Sequence, residues 1–322
     1  MEPEVFEISA TDGKALHTRR WLPENEPGIV VLIVHGMGEH GGRYGPFAAE
    51  LAAAGFAVYA PDLRGHGLTD QSEERIVHFA DQRGWHQVLD DIGCAVRHLR
   101  SSHPEASLFL VGHSMGSLLT RSYIQRPARG AERIDGAILS ATQGDPGLLA
   151  QAGRLLAALE TARLGPRGAS RLLRKLLFGN FNRVFRPNRT PFDWLNRDRS
   201  EVDRYIADPL IAKAYTAAFF RDLIGGVIEL NRPSNMARTP RDMPLLFVSG
   251  ERDPLGGFAR GVRKTAERYR ALGLTDVTVR IYEGARHEIF HEYCKGQVYS
   301  DIIGWLKERA EKGRRAAPHE DE

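Results

Sequence analysis

The chain is short of cysteine, of long apolar runs and of excess charge, and each shortage removes a class of protein. Two cysteines in 322 residues, Cys94 and Cys294, are too few for a disulfide scaffold. Both lie in helix-like text, and reduced thiols in a cytoplasmic protein are the expectation. No stretch approaches the roughly 18 uninterrupted apolar residues that a membrane helix needs. The opening Met1-Glu2-Pro3-Glu4 is acidic and lacks the apolar centre of a secretion signal, which argues against export. Lys and Arg number 44 against 41 Asp and Glu, a formal charge of +3. That excess is too small and too dispersed to mark a nucleic-acid partner. Disorder is excluded by 42% apolar residues beside 26% charged ones. The length fits one large domain, or a domain carrying a substantial insertion.

What is present is an alternation of short apolar runs with helical text. Gly28–Val34 is unbroken apolar, and Phe56–Ala60, Leu108–Val111, Ile134–Leu139, Leu245–Val248 and Val277–Tyr282 follow. Continuous apolar strands imply a sheet covered on both faces. Between them, Trp85, Val88, Leu89, Ile92, Val96 and Leu99 fall on one helical face. Strand and helix in alternation predict an α/β fold with a mainly parallel central sheet flanked by helices. Near the start, Val5–Ile8 and Leu16–Trp21 flank Asp12-Gly13, a hairpin turn that adds an antiparallel edge.

The rhythm stops near Gln143 and resumes near Met243. Residues 143–242 read as helices without a convincing strand, an insertion into a core made of 1–142 and 243–322. In it Leu148, Ala152, Leu155 and Leu159 share one face, followed by Leu172, Leu173, Leu176 and Leu177. Placed between two sheet strands, it reads as a cap over their C-terminal ends, where open α/β sheets hold their ligands. Residues 311–322, charged and aperiodic, read as a solvated tail.

The strongest chemical signal is Gly112-His113-Ser114-Met115-Gly116, directly after one strand and directly before helical text. A sharp strand-to-helix turn pushes the serine hydroxyl out of the sheet top, and small neighbours tolerate the crowded backbone. A serine hydroxyl needs a base, and the base needs a carboxylate to orient it. In such a fold their order along the chain is serine, acid, histidine. Asp253 and His287 each follow the end of a later strand and satisfy that order, with Glu251 and His291 as rivals. Met115 offers one main-chain N–H to an oxyanion. Met37, inside His35-Gly36-Met37-Gly38, offers the second, because flanking glycines allow close approach. His35 reads as a brace for that loop, and Asp62–Gly67 as a salt-bridged structural turn near the site.

His287-Glu288-Ile289-Phe290-His291 also matches the zinc-protease pattern H-E-x-x-H. That motif needs both histidines on one helix face. Here Gly284-Ala285 at a strand end places His287 before any helix, and a zinc reading leaves Ser114, Asp253 and the HGMG loop idle. The serine chemistry requires no metal or cofactor.

Taken together, these residues resemble the α/β-hydrolase superfamily, and within it the monoglyceride lipase and lysophospholipase group filed with the serine aminopeptidases. The resemblance rests on HGMGEHGGRY (35–44), DLRGHG (62–67), GHSMG (112–116), SGERDPL (249–255), YEGARHEIFHE (282–292) and, in the insertion, Asn196-Arg197-Asp198 and EVDRYIADPL (201–210). It implies Ser114 as nucleophile, Asp253 as acid, His287 as base, and Met37 and Met115 as oxyanion donors. Members usually carry glycine where Ser117 stands, so a slight change in helix packing is expected there. Residues 144–192 match poorly, and substrate preference resides there.

The expected reaction is hydrolysis of a small-molecule carboxylic ester, with monoacylglycerols and lysophospholipids foremost. Acyl transfer, or cleavage of a peptide, lactone or polyester, are alternatives on the same triad. Ser114 argues against the dehalogenase and epoxide hydrolase chemistries, which use Asp. A complete triad argues against a non-catalytic receptor. Phe178, Phe181, Phe185, Phe192, Trp194, Phe219 and Phe220 supply apolar surface within the insertion, and several of them, foremost Phe178, Phe181, Phe185 and Trp194, are expected to line an acyl pocket. The insertion is also basic, from Arg154 through Arg171, Arg174 and Lys175 to Arg189. That face is either solvated or a contact for an anionic membrane.

Overall fold

Six consecutive buried apolar residues, Ile29–Val34, form the centre of the fold because the strand is covered on both sides. In the computed structural model, which describes residues 1–70, 74–127, 130–179 and 181–316, alternate residues of this strand enter different cores. Val30, Leu32 and Val34 join one cluster, and Ile29, Val31 and Ile33 join the other. Removing a side chain such as Leu32 from water contributes about 1.5–3 kcal/mol, so a one-residue slip of register is strongly disfavoured.

The strands are β1 (Glu4–Ser9), β2 (Ala15–Trp21), β3 (Ile29–Val34), β4 (Ala57–Pro61), β5 (Ile76–Val77), β6 (Ser107–His113), β7 (Gly136–Ser140), β8 (Ala214–Tyr215), β9 (Leu245–Gly250) and β10 (Val277–Tyr282). Eight of them form one sheet in the order β1-β2-β4-β3-β6-β7-β9-β10. From β4 to β10 every pairing is parallel, whereas β2 runs antiparallel to both β1 and β4. This is the α/β-hydrolase architecture. The Asp12-Gly13 hairpin builds the antiparallel edge, with Gly13 at φ 83°.

The helices are α1 (Gly45–Ala53), α2 (Gly84–Ser102), α3 (Met115–Ile124), α4 (Leu148–Leu164), α5 (Arg171–Phe178), α6 (Arg199–Ala207), α7 (Ala217–Leu230), α8 (Pro233–Met236), α9 (Arg260–Ala271) and α10 (Lys295–Ala316). Phe47 and Leu51 of α1 and Ile302 and Leu306 of α10 close one face of the sheet. Leu89 of α2, Leu119 of α3 and Val262 of α9 close the other. The six apolar residues of α2 named from the sequence are all buried. Cys94 is buried in α2, Cys294 lies in a turn just before α10, and both are free thiols.

Four expectations need correction. The leucine stripe of α4 faces solvent: Leu148 is 88% exposed, Leu155 65% and Leu159 59%. The helix instead turns Ala150, Ala157 and Glu160 inward. Small residues let α4 lie close on α7, and Glu160 accepts a 2.7 Å hydrogen bond from Ser170 Oγ. Second, the insertion contains one short strand, because Ala214–Tyr215 pair with Ile76–Val77 of the core. Third, residues 311–316 continue α10 rather than starting a tail; residues 317–322 lie outside the described residues. Fourth, Cys294 is not helical. Among the described residues no helix is long and apolar enough to cross a membrane.

Candidate active site

Ser114 stands between β6 and α3 with φ 52° and ψ −118°, a backbone conformation rare for a residue with a side chain. The turn is held by Ser114 N–H donating to the Ser140 carbonyl at 2.9 Å. Its flanking glycines are required by space. A Cβ at Gly112 would collide with the Gly116 carbonyl, and one at Gly116 with the Val34 carbonyl. Ser117, where the family resemblance leads one to expect glycine, donates from Oγ to the Ser114 carbonyl at 2.6 Å. Its side chain is therefore part of the turn.

The residues expected as acid and base come together from the ends of different strands. Asp253, beyond the end of β9, is fully buried, and its Oδ2 lies 3.0 Å from His287 Nδ1. The other carboxylate oxygen accepts the Leu255 N–H at 2.9 Å. Burial disfavours the His287 imidazolium, but Asp253 outweighs it and raises the pKa above its ordinary value. Of the rivals, Glu251 is exposed and accepts the Gly284 N–H at 3.0 Å. His291 is half-buried and, among the described residues, has no carboxylate hydrogen-bond partner; loss of solvent around the ring lowers its pKa to about 4. Residues 287–291 form a turn, so the two histidines of the H-E-x-x-H match share no helix face. His113 is likewise held neutral, chiefly by burial.

Ser114 and His287 open on one cavity of about 610 Å³. No hydrogen bond joins their side chains in this conformation; such bonds commonly form only with substrate in place. Gly36 brings the HGMG loop against the serine, since a Cβ there would stand 3.4 Å from Ser114 Cβ. Among the described residues, the main-chain N–H groups of Met37 and Met115 have no acceptor. Met115 begins α3, whose N-terminal partial positive charge favours an anion at that point.

Buried ion pairs fix the loops around the serine. Glu39 accepts from Gly36 N–H at 2.6 Å, Tyr44 Oη at 2.8 Å and Arg43 Nη1 at 2.5 Å. Arg43 also grips Glu288 through two bonds of 2.6 and 2.9 Å. Burial opposes ionisation of Glu39, yet the Arg43 guanidinium holds its carboxyl far below the usual range. The HGMG loop and the loop of His287 are thus joined through one guanidinium. Sequence reading missed this bridge. His35 donates from Nδ1 to the Gly36 carbonyl and accepts Leu63 N–H at Nε2. Asp62, fully buried, gathers Arg19, Gly41 N–H and Leu68 N–H at 2.8 Å each. Both roles are structural.

A second cavity, of about 510 Å³, also reaches Ser114 and is walled by apolar side chains. Phe181 and Trp194 line it, as does Phe220. Phe185 lines neither cavity, because the Arg286 guanidinium sits 4.1 Å over its ring and holds it elsewhere. Phe192 lines the first cavity instead, and Phe219 is buried in the main core. Phe178 ends α5, and its side chain lies outside the described residues. Most of the wall is aliphatic, including Leu118, Leu156, Leu173, Leu177 and Leu223. Their periodicity marks helix faces without saying that a face borders a void.

The fold and the serine turn at the top of its sheet define an α/β-hydrolase. Residues 25–293 match the serine aminopeptidase, S33, family, and the chain belongs to that family. It is 30% identical over 293 residues to the monoacylglycerol lipase of Mycolicibacterium smegmatis, covering 89% of this chain and 90% of that protein. It is 30% identical over 318 residues to the human monoglyceride lipase, covering 95% and 91% respectively. A thermostable carboxyl esterase from Bacillus coagulans, solved with glycerol, superposes with a TM-score of 0.85 at 22% identity, covering 96% of this chain and 99% of that one, a likeness of fold. The chain is a lipase-like carboxylic-ester hydrolase.

Proposed function

We propose that the protein hydrolyses acyl esters of the monoacylglycerol or lysophospholipid type through Ser114, His287 and Asp253. One observation carries this reading: Ser114 stands where an apolar cavity of about 510 Å³ meets a more polar one. An ester carbonyl at Ser114 places its chain in the apolar cavity and its alcohol in the more polar one. His287 takes the Ser114 proton as Oγ attacks the carbonyl carbon, while Asp253 holds the imidazole tautomer and stabilises the imidazolium. The free N–H groups of Met37 and Met115 receive the oxyanion. The imidazolium then protonates the departing alkoxide, and water, deprotonated by His287, releases the acid from the acyl-enzyme. Replacing Ser114 by Ala is expected to lower turnover at least about a thousandfold and to abolish fluorophosphonate labelling. Near-normal hydrolysis by that variant would remove the mechanism.

The same reading gives the exposed α4 leucines a role. Leu149 is 80% exposed yet also lines the apolar cavity, so the outer leucine surface is continuous with the acyl site. With basic residues such as Arg154 beside it, this surface fits an anionic lipid interface, from which an acyl chain can enter. Flotation with anionic and with zwitterionic liposomes tests it, and binding to neither would end the idea. The two free thiols are in keeping with a cytoplasmic location.

A further inference from the structure

Helix α5 is a wall with two chemically different sides. It begins at Ser170, whose hydroxyl accepts the Leu173 N–H at 3.2 Å. Leu173, Leu176 and Leu177 line the apolar cavity, whereas Arg171, Arg174 and Lys175 line the polar one. The three cations are spaced i, i+3, i+4 and so form one stripe. Met37, Ser114 and Trp194 border both cavities, so the two spaces meet at the nucleophile and diverge around the helix.

Of the cations in the basic insertion, these three border the cavity at Ser114, and other cations nearby are neutralised. Arg163 pairs with Glu160, Arg167 with Asp81 and Arg189 with Asp203. Arg171, Arg174 and Lys175 form no salt bridge among the described residues; the one side-chain hydrogen bond of the three there runs from Arg174 Nη1 to the Lys213 carbonyl at 3.0 Å. The carboxylates of the same cavity, Glu39 and Glu288, are both turned to Arg43. Three unneutralised cations therefore face the space where the leaving alcohol must lie.

Resting on the ester-hydrolase reading above, we infer that this side of the site recognises an anionic, phosphorylated head group. The preferred substrate is a lysophospholipid of net negative charge, not a neutral monoacylglycerol. Arg171 and Arg174 offer forked donors to phosphate oxygens, and Lys175 adds a point charge. The chemistry is unchanged. The Ser114 Oγ–acyl bond forms, the acyl–oxygen bond to glycerol breaks, the His287 proton goes to the glycerol oxygen, and the phosphate stays intact on the leaving alcohol.

The test compares three esters of one octanoyl chain, each monomeric in solution so that membrane adsorption plays no part: lysophosphatidate, lysophosphatidylcholine and monooctanoylglycerol. The readout is the ratio of kcat/KM for the anionic ester to that for the neutral one, measured within a single preparation. A ratio of about ten or more is expected, each exposed pair supplying a factor of a few, with the zwitterionic ester between. Raising salt to about 0.5 M should shrink the ratio several-fold in the unaltered enzyme. Replacing Arg171, Arg174 and Lys175 together by Gln should bring it near one. A ratio at or below one, or one indifferent to both salt and the triple substitution, overturns the head-group assignment while hydrolysis of the neutral ester still upholds the ester-hydrolase reading. Hydrolysis of none of the three overturns both.

Discussion

The indole of Trp194 lies against the imidazole of His287, ring centroids 4.8 Å apart and planes inclined by 40°. Trp194 belongs to the helical insertion and His287 to the core, so the insertion touches the proposed base directly. The contact is held in place by Glu288 N–H donating to the Leu195 carbonyl at 2.8 Å and by Arg286 reaching the Asn196 carbonyl at 3.1 Å. An aromatic pair of this kind contributes about 0.5–1.5 kcal/mol beyond simple burial. Replacing Trp194 by Ala is therefore expected to lower kcat on a short, soluble nitrophenyl ester by about three- to tenfold. Trp194→Phe should retain most of it. Equal kcat for Ala, Phe and Trp at this position would show that the ring has no part in placing the base.

The electrostatics of His287 predict a pH profile. Burial favours its neutral form, but the Asp253 carboxylate raises its pKa above the ordinary 6.5. The base must be neutral to accept the Ser114 proton, so kcat/KM falls as pH drops through that raised value. Its acid limb is expected above pH 6.5. With Asp253→Asn the limb should move to lower pH and kcat/KM should fall by about 10³–10⁴-fold. The contribution to stability has the opposite sense. It is present in full below the unfolded histidine value and is lost as pH rises through the folded one. An unchanged limb in Asp253→Asn would mean that Asp253 does not set the titration of the base.

Much of this site is legible from the sequence, for reasons visible in particular residues. β3 reads as a doubly covered strand because nothing in Ile29–Val34 is polar. The serine turn reads from glycines whose replacement would drive a Cβ into a carbonyl. What could not be read is what a helix face meets. Leu155 and Leu159 share a face of α4, but periodicity is the same whether that face meets a core or water. The division of α5 between cations and leucines likewise gains meaning only once both sides are known to border cavities. The Arg43–Glu288 pair joins positions 245 residues apart, and no local pattern announces it.

That buried pair, with Glu39, supports a stability prediction. Removing Glu39 leaves Arg43 with one partner fewer and takes the acceptor from Gly36 N–H, within the HGMG loop. Glu39→Ala is expected to cost about 3 kcal/mol, the lower end for a broken buried pair because Glu288 remains. Urea denaturation at neutral pH measures it. Glu39→Gln keeps an oxygen for Gly36 and should recover part of both stability and kcat. Since the folded carboxyl titrates below its ordinary 4.5, the stabilisation by Glu39 is complete above that value and is lost as pH falls. The margin of the unaltered protein over Glu39→Gln should accordingly narrow below about pH 4.5. A loss under about 1 kcal/mol for the Ala variant at neutral pH would mean that the bridge is solvated in solution.

Gly153 offers a way to probe the acyl cavity without disturbing the catalytic groups. It lies within α4, lines the apolar cavity, and an added Cβ would meet Ile224 of α7 at 3.7 Å, an ordinary contact. Glycine inside a helix is less favourable than alanine by about 1 kcal/mol, so Gly153→Ala is expected to stabilise the protein by up to that amount. Gly153→Leu extends the same direction into the cavity and occupies part of its roughly 510 Å³. If that space holds the acyl chain, kcat/KM should fall for long-chain esters while butyryl esters change little, moving the optimum toward shorter chains. A lost methylene contact is worth about 0.8 kcal/mol, so each excluded methylene should lower kcat/KM about fourfold. A uniform loss across all chain lengths would show instead that the larger side chain pushes α4 away from α7, and the cavity would then have no claim on the acyl chain.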